Sequence, residues 1–359
     1  MKPSSTDFLL ELIEHTLVST EDDGLSLWSE VFDQYIACWD IPNCRRMLRI
    51  IKRSRSSSKS ENEVQVIGLS AQGMFEIYLG NSLEAIDCYK KALARINNTN
   101  GEKVTEAWLW SNLGNIYYLS GQFKEATESY SHSIEFYREA GDEKGVELSL
   151  SNQGNVFRDI GELEKAIDCY QQALAWQKAH GEDEYSAVTL VNLGSVFQLQ
   201  EAYEEAETAY RQALEIFTSL GNLHYQAQTL GNLGTLFLET NRLDAALESF
   251  SQDLEANQKA GDLISQSQAL NNLAIVYRRK QNPTQARFYY EESLKTKREI
   301  GDRQGELSTL INYCYLLQDI GDRENLQKSL TKARTLAVSL NDGERLTRVE
   351  ALEREVLQR

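Results

Sequence analysis

The sequence predicts an all-α fold, an α-solenoid of about seven helix-turn-helix units with capping helices at both ends. Three observations predict it. An Asn-x-Gly core stands at Asn112, Asn152, Asn192 and Asn232 and returns, altered, at Asn272 and Asn312, each asparagine 40 residues after the last. A fixed period between about 20 and 50 residues marks units that stack on one another to bury a continuous core. Each unit also carries two apolar patterns at helical spacing, such as Leu150, Gly154 and Phe157 followed by Ala166, Tyr170 and Leu174. Finally, 41% apolar residues with three prolines in 359 suit a folded helical chain.

Taken in order, residues 1–60 predict an N-terminal helical cap. Phe8, Leu9, Leu12, Ile13 and Leu17 share one face of a short helix, which the acidic stretch ending at Gly24 closes. Trp28, Val31, Phe32 and Tyr35, then Leu48 and Ile51, make 25–60 a degenerate first repeat, since a terminal unit turns one face to water. Residues 45–60 form the one strongly basic run. It reads either as a docking patch tunable by phosphorylation at Ser54, Ser56, Ser57 or Ser58, or as a solvated helix end entering a serine-rich loop.

The array proper spans 61–340. Its first clear unit holds Gly73 and Tyr89, and an insertion at 97–101 lengthens that spacing to 41. Units end in Gly141-Asp142, Gly181-Glu182, Gly221-Asn222, Gly261-Asp262 and Gly301-Asp302. There glycine closes one helix left-handed and the next residue caps the following helix. Asn282 caps before Pro283, whose missing N–H is harmless at the first helical position. Gly114, Gly154, Gly194, Gly234 and Ala274 allow close approach of paired helices, which justifies the cost of about 1 kcal/mol that glycine carries in a lone helix. Residues 341–359 predict a C-terminal capping helix over 344–358.

Trp110, Leu113, Gly114 and Tyr117, with Ala126 and Tyr130, resemble the tetratricopeptide repeat pattern. The 40-residue period, longer than the usual ~34, is similar to the long-repeat branch with Leu-Gly-Asn adaptors, kinesin light chains and bacterial peptide-sensing regulators. The resemblance covers about 63–340 and implies a right-handed superhelix whose first helices line a concave groove.

On a wheel of about 100° per residue, Asn112 falls opposite the packing face of its helix. The row Asn112, Asn152, Asn192, Asn232, Asn272 and Asn312 is therefore a candidate ladder for the backbone of an extended peptide, because each amide both donates and accepts. A structural role in fixing neighbouring helices is the competing reading. The resemblance supports the ladder, since asparagine ladders of tetratricopeptide proteins bind peptide backbones. Asn115, Asn155, Arg158, Arg278 and Arg279 share the face and would select side chains. The spindle adaptors hold arginines one turn before Leu-Gly to grip acidic peptides. Trp108, Leu148, Val188, Gln228, Gln268 and Ser308 stand there instead, which argues against an acidic ligand.

A net charge of −17 and a pI near 4.8 disfavour nucleic acid and favour neutral or basic protein partners. No catalytic motif, cofactor loop or metal-ligand spacing stands out among the four histidines and five cysteines. Reduced thiols, no signal sequence and no membrane-inserting segment make a cytoplasmic location the expectation. The expected function is a non-catalytic adaptor or scaffold holding a peptide. The alternatives are a peptide-sensing regulator and a protein self-assembling through its end repeats; the oligomeric state stays open.

Overall fold

Two helices joined by a three-residue turn bury their apolar stripes against one another, and this hairpin is the unit of the whole chain. The computed structural model describes residues 13, 21–38, 40–53, 61–96 and 103–358. Among these residues there are seventeen helices and no strand. The expected helix on Phe8, Leu9, Leu12 and Leu17, the serines at 54–58 and the insertion at 97–101 lie outside the described residues, although Ile13 itself is helical and buried.

The chain divides into two units, Met1–Trp176 and Gln177–Arg359. The first holds α1 (Glu21–Ala37), α2 (Ile41–Arg53), α3 (Glu61–Tyr78), α4 (Ser82–Leu93), α5 (Lys103–Leu119), α6 (Phe123–Ala140), α7 (Glu143–Asp159) and most of α8 (Leu163–Ala179). The second holds α9 (Asp183–Leu199), α10 (Tyr203–Leu220), α11 (Leu223–Glu239), α12 (Leu243–Ala260), α13 (Leu263–Arg279), α14 (Pro283–Glu299), α15 (Arg303–Asp319), α16 (Arg323–Ser339) and α17 (Gly343–Gln358). The acidic residues at 21–23 and Gly24 open α1 where a helix end was expected. Negative charge suits a helix N-terminus, where it meets the positive end of the helix dipole. Within α1 and α2, Trp28, Phe32, Met47 and Ile51 share a core with Ala71 and Phe75 of α3, and Trp28 Nε1 donates to Met47 O at 3.1 Å.

The hairpins close on glycine. A Cβ at Gly73, Gly114, Gly154, Gly194 or Gly234 would stand 2.6–2.9 Å from the ring of Tyr89, Tyr130, Tyr170, Tyr210 or Phe250. Those rings are fully or almost fully buried. Each contributes roughly 4–6 kcal/mol of gross transfer free energy, from about 150–250 Å² of buried ring at ~25 cal/mol per Å². In the last full hairpin Cys314 replaces the glycine and Leu330 the ring, so the lost volume on one helix is refilled by the other.

The caps follow the expected chemistry at four of the five junctions. Asp142 accepts from Gly145 N, Asn222 from Tyr225 N, Asp262 from Ile264 N and Ser265 N, and Asp302 from Gly305 N. Glu182 makes no such bond. Asn282 caps α14 with Pro283 in its first turn, as read from the sequence. Inside the hairpins the turn residue is glycine at 121, 161 and 321, but Glu201, Asn241 and Gln281 adopt the same left-handed backbone at φ 61°, 57° and 55°. Among the described residues, first helices of successive hairpins touch, α5 with α7, α9 with α11 and α13 with α15, while second helices come less close. The first helices thus share one face in each unit.

Two stability outcomes follow from this geometry. Gly194→Ala is expected to lower stability by about 1–3 kcal/mol, seen as a lower denaturant midpoint; an unchanged midpoint would mean that Tyr210 yields freely. Gln281→Gly should raise the melting temperature. A non-glycine residue in the left-handed region costs about 1–2 kcal/mol, of which the greater freedom of unfolded glycine takes back part.

Candidate functional site

The asparagine row lies on the shared face of the first helices, half-buried at every position rather than free. Neighbouring first helices crowd that face, so several of its amides already have partners. In the first unit Asn112 Nδ2 donates to Trp108 O, one turn back in its own helix, at 2.8 Å. Asn152 Nδ2 reaches Asn115 Oδ1 at only 3.5 Å. Asn115 and Asn155 accept from the hydroxyls of Tyr130 and Tyr170 at 2.6 and 2.7 Å, which ties them to the buried rings of α6 and α8. Arg158 pairs with Asp159, whose other oxygen accepts from Tyr118 OH at 2.6 Å.

In the second unit Asn312 Nδ2 donates to Asn271 Oδ1 at 3.2 Å, and Asn271 in turn approaches Asn272 at 3.4 Å. Asn192 also has a bonding partner. Arg278 pairs with Asp319 at 2.6 Å and lies over the Tyr315 ring, while Arg279 Nη1 donates to Leu238 O at 2.9 Å. These arginines therefore bridge successive hairpins.

Asn232 and Asn272 are placed differently. Both line an open cavity of about 370 Å³ between α11, α12 and α13. Gln228 and Asn232 stand one turn apart on α11, and Gln268 and Asn272 repeat that pair on α13. Four primary amides thus wall one cavity, and together they offer both donors and acceptors. Thr235 and Ser265 add hydroxyls, and the floor is Asp253 with Asn257, both from α12. Asp253 is 7% exposed and its Oδ1 accepts from Asn257 Nδ2 at 2.6 Å.

Sequence reading missed Asp253, Asn257 and Gly231, although the repeat register carries the signal. The positions equivalent to Asp253 hold Ala92, Ser133, Ala173, Ala213, Ser293 and Ala333, all fully buried small residues. Ser133 and Ser293 use that place to donate to Ala107 O and Ser267 O on the first helix. Asn257 stands in a mixed column of Tyr137, Gln177, Phe217, Lys297 and Ala337, and Gly231 where Ser111, Ser151, Val191, Asn271 and Ile311 stand. Relative to the preceding hairpin, with Val191, Ala213 and Phe217, a ring and a side chain are removed and a carboxylate appears.

Burial pushes the Asp253 carboxyl up from 3.8 to about 7, against the opposing pull of the Asn257 amide. A charged group loses hydration there without gaining a counter-charge. Elsewhere burial pushes the thiols of Cys44 and Cys169 up to about 11 and that of Cys314 to about 12, leaving them as protonated packing groups. Among the described residues no group of three or more histidine, cysteine or acidic side chains is arranged to hold a metal ion, and no helix is long and apolar enough to cross a membrane.

The sequence profile described as tetratricopeptide repeat matches residues 66–139, 145–219, 185–259 and 225–299, more than half of the chain. The chain belongs to the tetratricopeptide repeat family. Among curated proteins none matches the sequence. Solved structures share its fold. Aspartyl phosphate phosphatase F from Bacillus subtilis is 16% identical at a TM-score of 0.59, over 96% of this chain and 97% of its own. A Rap protein complexed with Competence and Sporulation Factor is 13% identical at 0.55, over 94% and 99%. A signal transduction ATPase with a tetratricopeptide repeat sensor, from Pyrococcus horikoshii, is 14% identical at 0.67, over 92% of this chain and 47% of its own. Identities this low speak for the fold alone.

The raised Asp253 value has a stability consequence. Its folded-state value exceeds the unfolded one, so the folded state binds the proton more tightly. That contribution is full below pH ~4 and is lost as pH rises through about 7. Asp253→Asn is expected to melt above wild type at pH 8 and together with it near pH 4. An offset that is the same at both pH values would overturn this account of the buried carboxyl.

Proposed function

We propose that this tetratricopeptide repeat protein is a non-catalytic adaptor that holds an extended segment of a protein or peptide partner against the shared face of its first helices. The observation that carries the reading is the amide-walled cavity of the second unit, where Gln228, Asn232, Gln268 and Asn272 face one space. Amides repeated at the helix-to-helix spacing of about 8–10 Å meet a peptide backbone about every third residue, at ~3.3 Å per residue. Such pairing recognises the backbone and leaves selection to side-chain contacts. The complex of the neighbouring Rap protein with Competence and Sporulation Factor supports a ligand-holding role for this architecture.

The ladder is proposed for Asn232 and Asn272, with Asn192 and Asn312 extending it on either side. Asn152, Asn115 and Asn155 also serve helix–helix contacts, Asn112 bonds back to its own helix, Arg158 pairs with its neighbour Asp159, and Arg278 and Arg279 serve as braces between hairpins. The acidic composition favours neutral or basic partners, and the five free cysteines favour a cytoplasmic setting.

Immobilised full-length protein incubated with a pool of blocked random heptapeptides tests the reading. Wild type should retain a subset. The Asn232→Ala/Asn272→Ala variant should retain that subset about 5- to 150-fold less well, since two lost hydrogen bonds are worth about 1–3 kcal/mol. Equal retention by a variant with an unchanged melt would rule the ladder out.

A further inference from the structure

The carboxyl of Asp253 is more than a packing defect, because the surrounding sequence is shaped to leave an approach to it. Gly231 leaves the approach open: a Cβ added there would stand 3.4 Å from Asp253 Oδ2. Val191 or Ile311, at the equivalent place in other hairpins, would obstruct that oxygen. Asn257, where the preceding hairpin has Phe217, supplies an amide that holds Oδ1, which fixes the carboxyl while Oδ2 faces the Gly231 side. The space above is about 370 Å³, many times the ~30 Å³ share of one water.

We propose that this cavity is a specificity pocket for the guanidinium or ammonium group of a basic peptide side chain, with the Asp253 carboxylate as its counter-charge. The proposal rests on the peptide-holding role above and names what the same face selects. A cation is the partner that this largely buried carboxylate lacks, and a charge-assisted bond to a desolvated group is stronger than one in water. The wall amides would hold the ligand backbone while the side chain descends between α11 and α13. Of the other titratable groups nearby, His224 on α11 lines the same cavity, and the residues that α13 places on it are uncharged. Asp262, which caps α13, spends its carboxylate on Ile264 N, Ser265 N and Ser265 Oγ. Occupation of the pocket favours the ionised carboxyl, so affinity for a basic side chain rises as pH climbs through neutrality.

The test uses full-length protein and two pools of blocked heptapeptides, random except for a central arginine in one and a central citrulline in the other. Citrulline keeps the shape and removes the charge. Wild type at pH 8 should retain the arginine pool at least tenfold better, and the preference should shrink at pH 5.5, also in His224→Gln. Asp253→Asn should abolish the preference while retaining peptides at the citrulline level. Gly231→Val, which keeps the carboxyl but closes its approach, should do the same. If wild type retains both pools equally, or if Asp253→Asn still prefers arginine, the pocket assignment is wrong and peptide holding stands. If neither pool is retained, both readings fall.

Discussion

Contact between an aromatic ring on one helix and a bare glycine backbone on its partner sets the geometry of every full hairpin but the last two. It fixes how near the two helices come, and through that which residues of the first helix remain on the outer side. Gly154 under Tyr170 or Gly194 under Tyr210 leaves no room for a methyl group. The ring hydroxyl then reaches across to Asn115 in one hairpin and Asn155 in the next, so a single tyrosine serves as packing body and polar tie. Where the ring becomes Leu330, Cys314 fills the space. The constraint is on the combined volume of the pair and not on either residue.

Much of this was legible in the sequence because it repeats. A period of 40 residues, helix-capping residues after glycine and a small residue facing an aromatic are local patterns, and the hairpins follow them. Asp142, Asn222, Asp262 and Asp302 cap as their chemistry demands; Glu182, one methylene longer than aspartate, does not. Less legible was which polar residues of the shared face would be occupied. A helical wheel shows the side on which Asn152 or Arg278 emerges, but knows nothing of the adjacent helix. Asn115 and Asp319, which engage them, come into reach through the fold.

The cavity shows the complementary case. Asp253 was hidden in the sequence because attention fell on the positions that repeat. Its meaning comes from breaking a column of alanines and serines, in company with Gly231 and Asn257, residues that lie 22 and four positions away in the chain but border one space. Departures from a repeat, read column by column, carry the information that the repeat itself cannot.

The buried carboxyl also bears on how the array comes apart. In a stack of repeats stability is close to a sum of units and nearest-neighbour interfaces, so opening begins where those sums are smallest. Chain ends hold that place by default. An ionised Asp253 within the α11–α12 hairpin weakens an interior link as well, and its protonation near pH 7 strengthens that link again. Ionisation of this one carboxyl therefore places a weak point in the interior of the second unit, where otherwise the ends would be first to open.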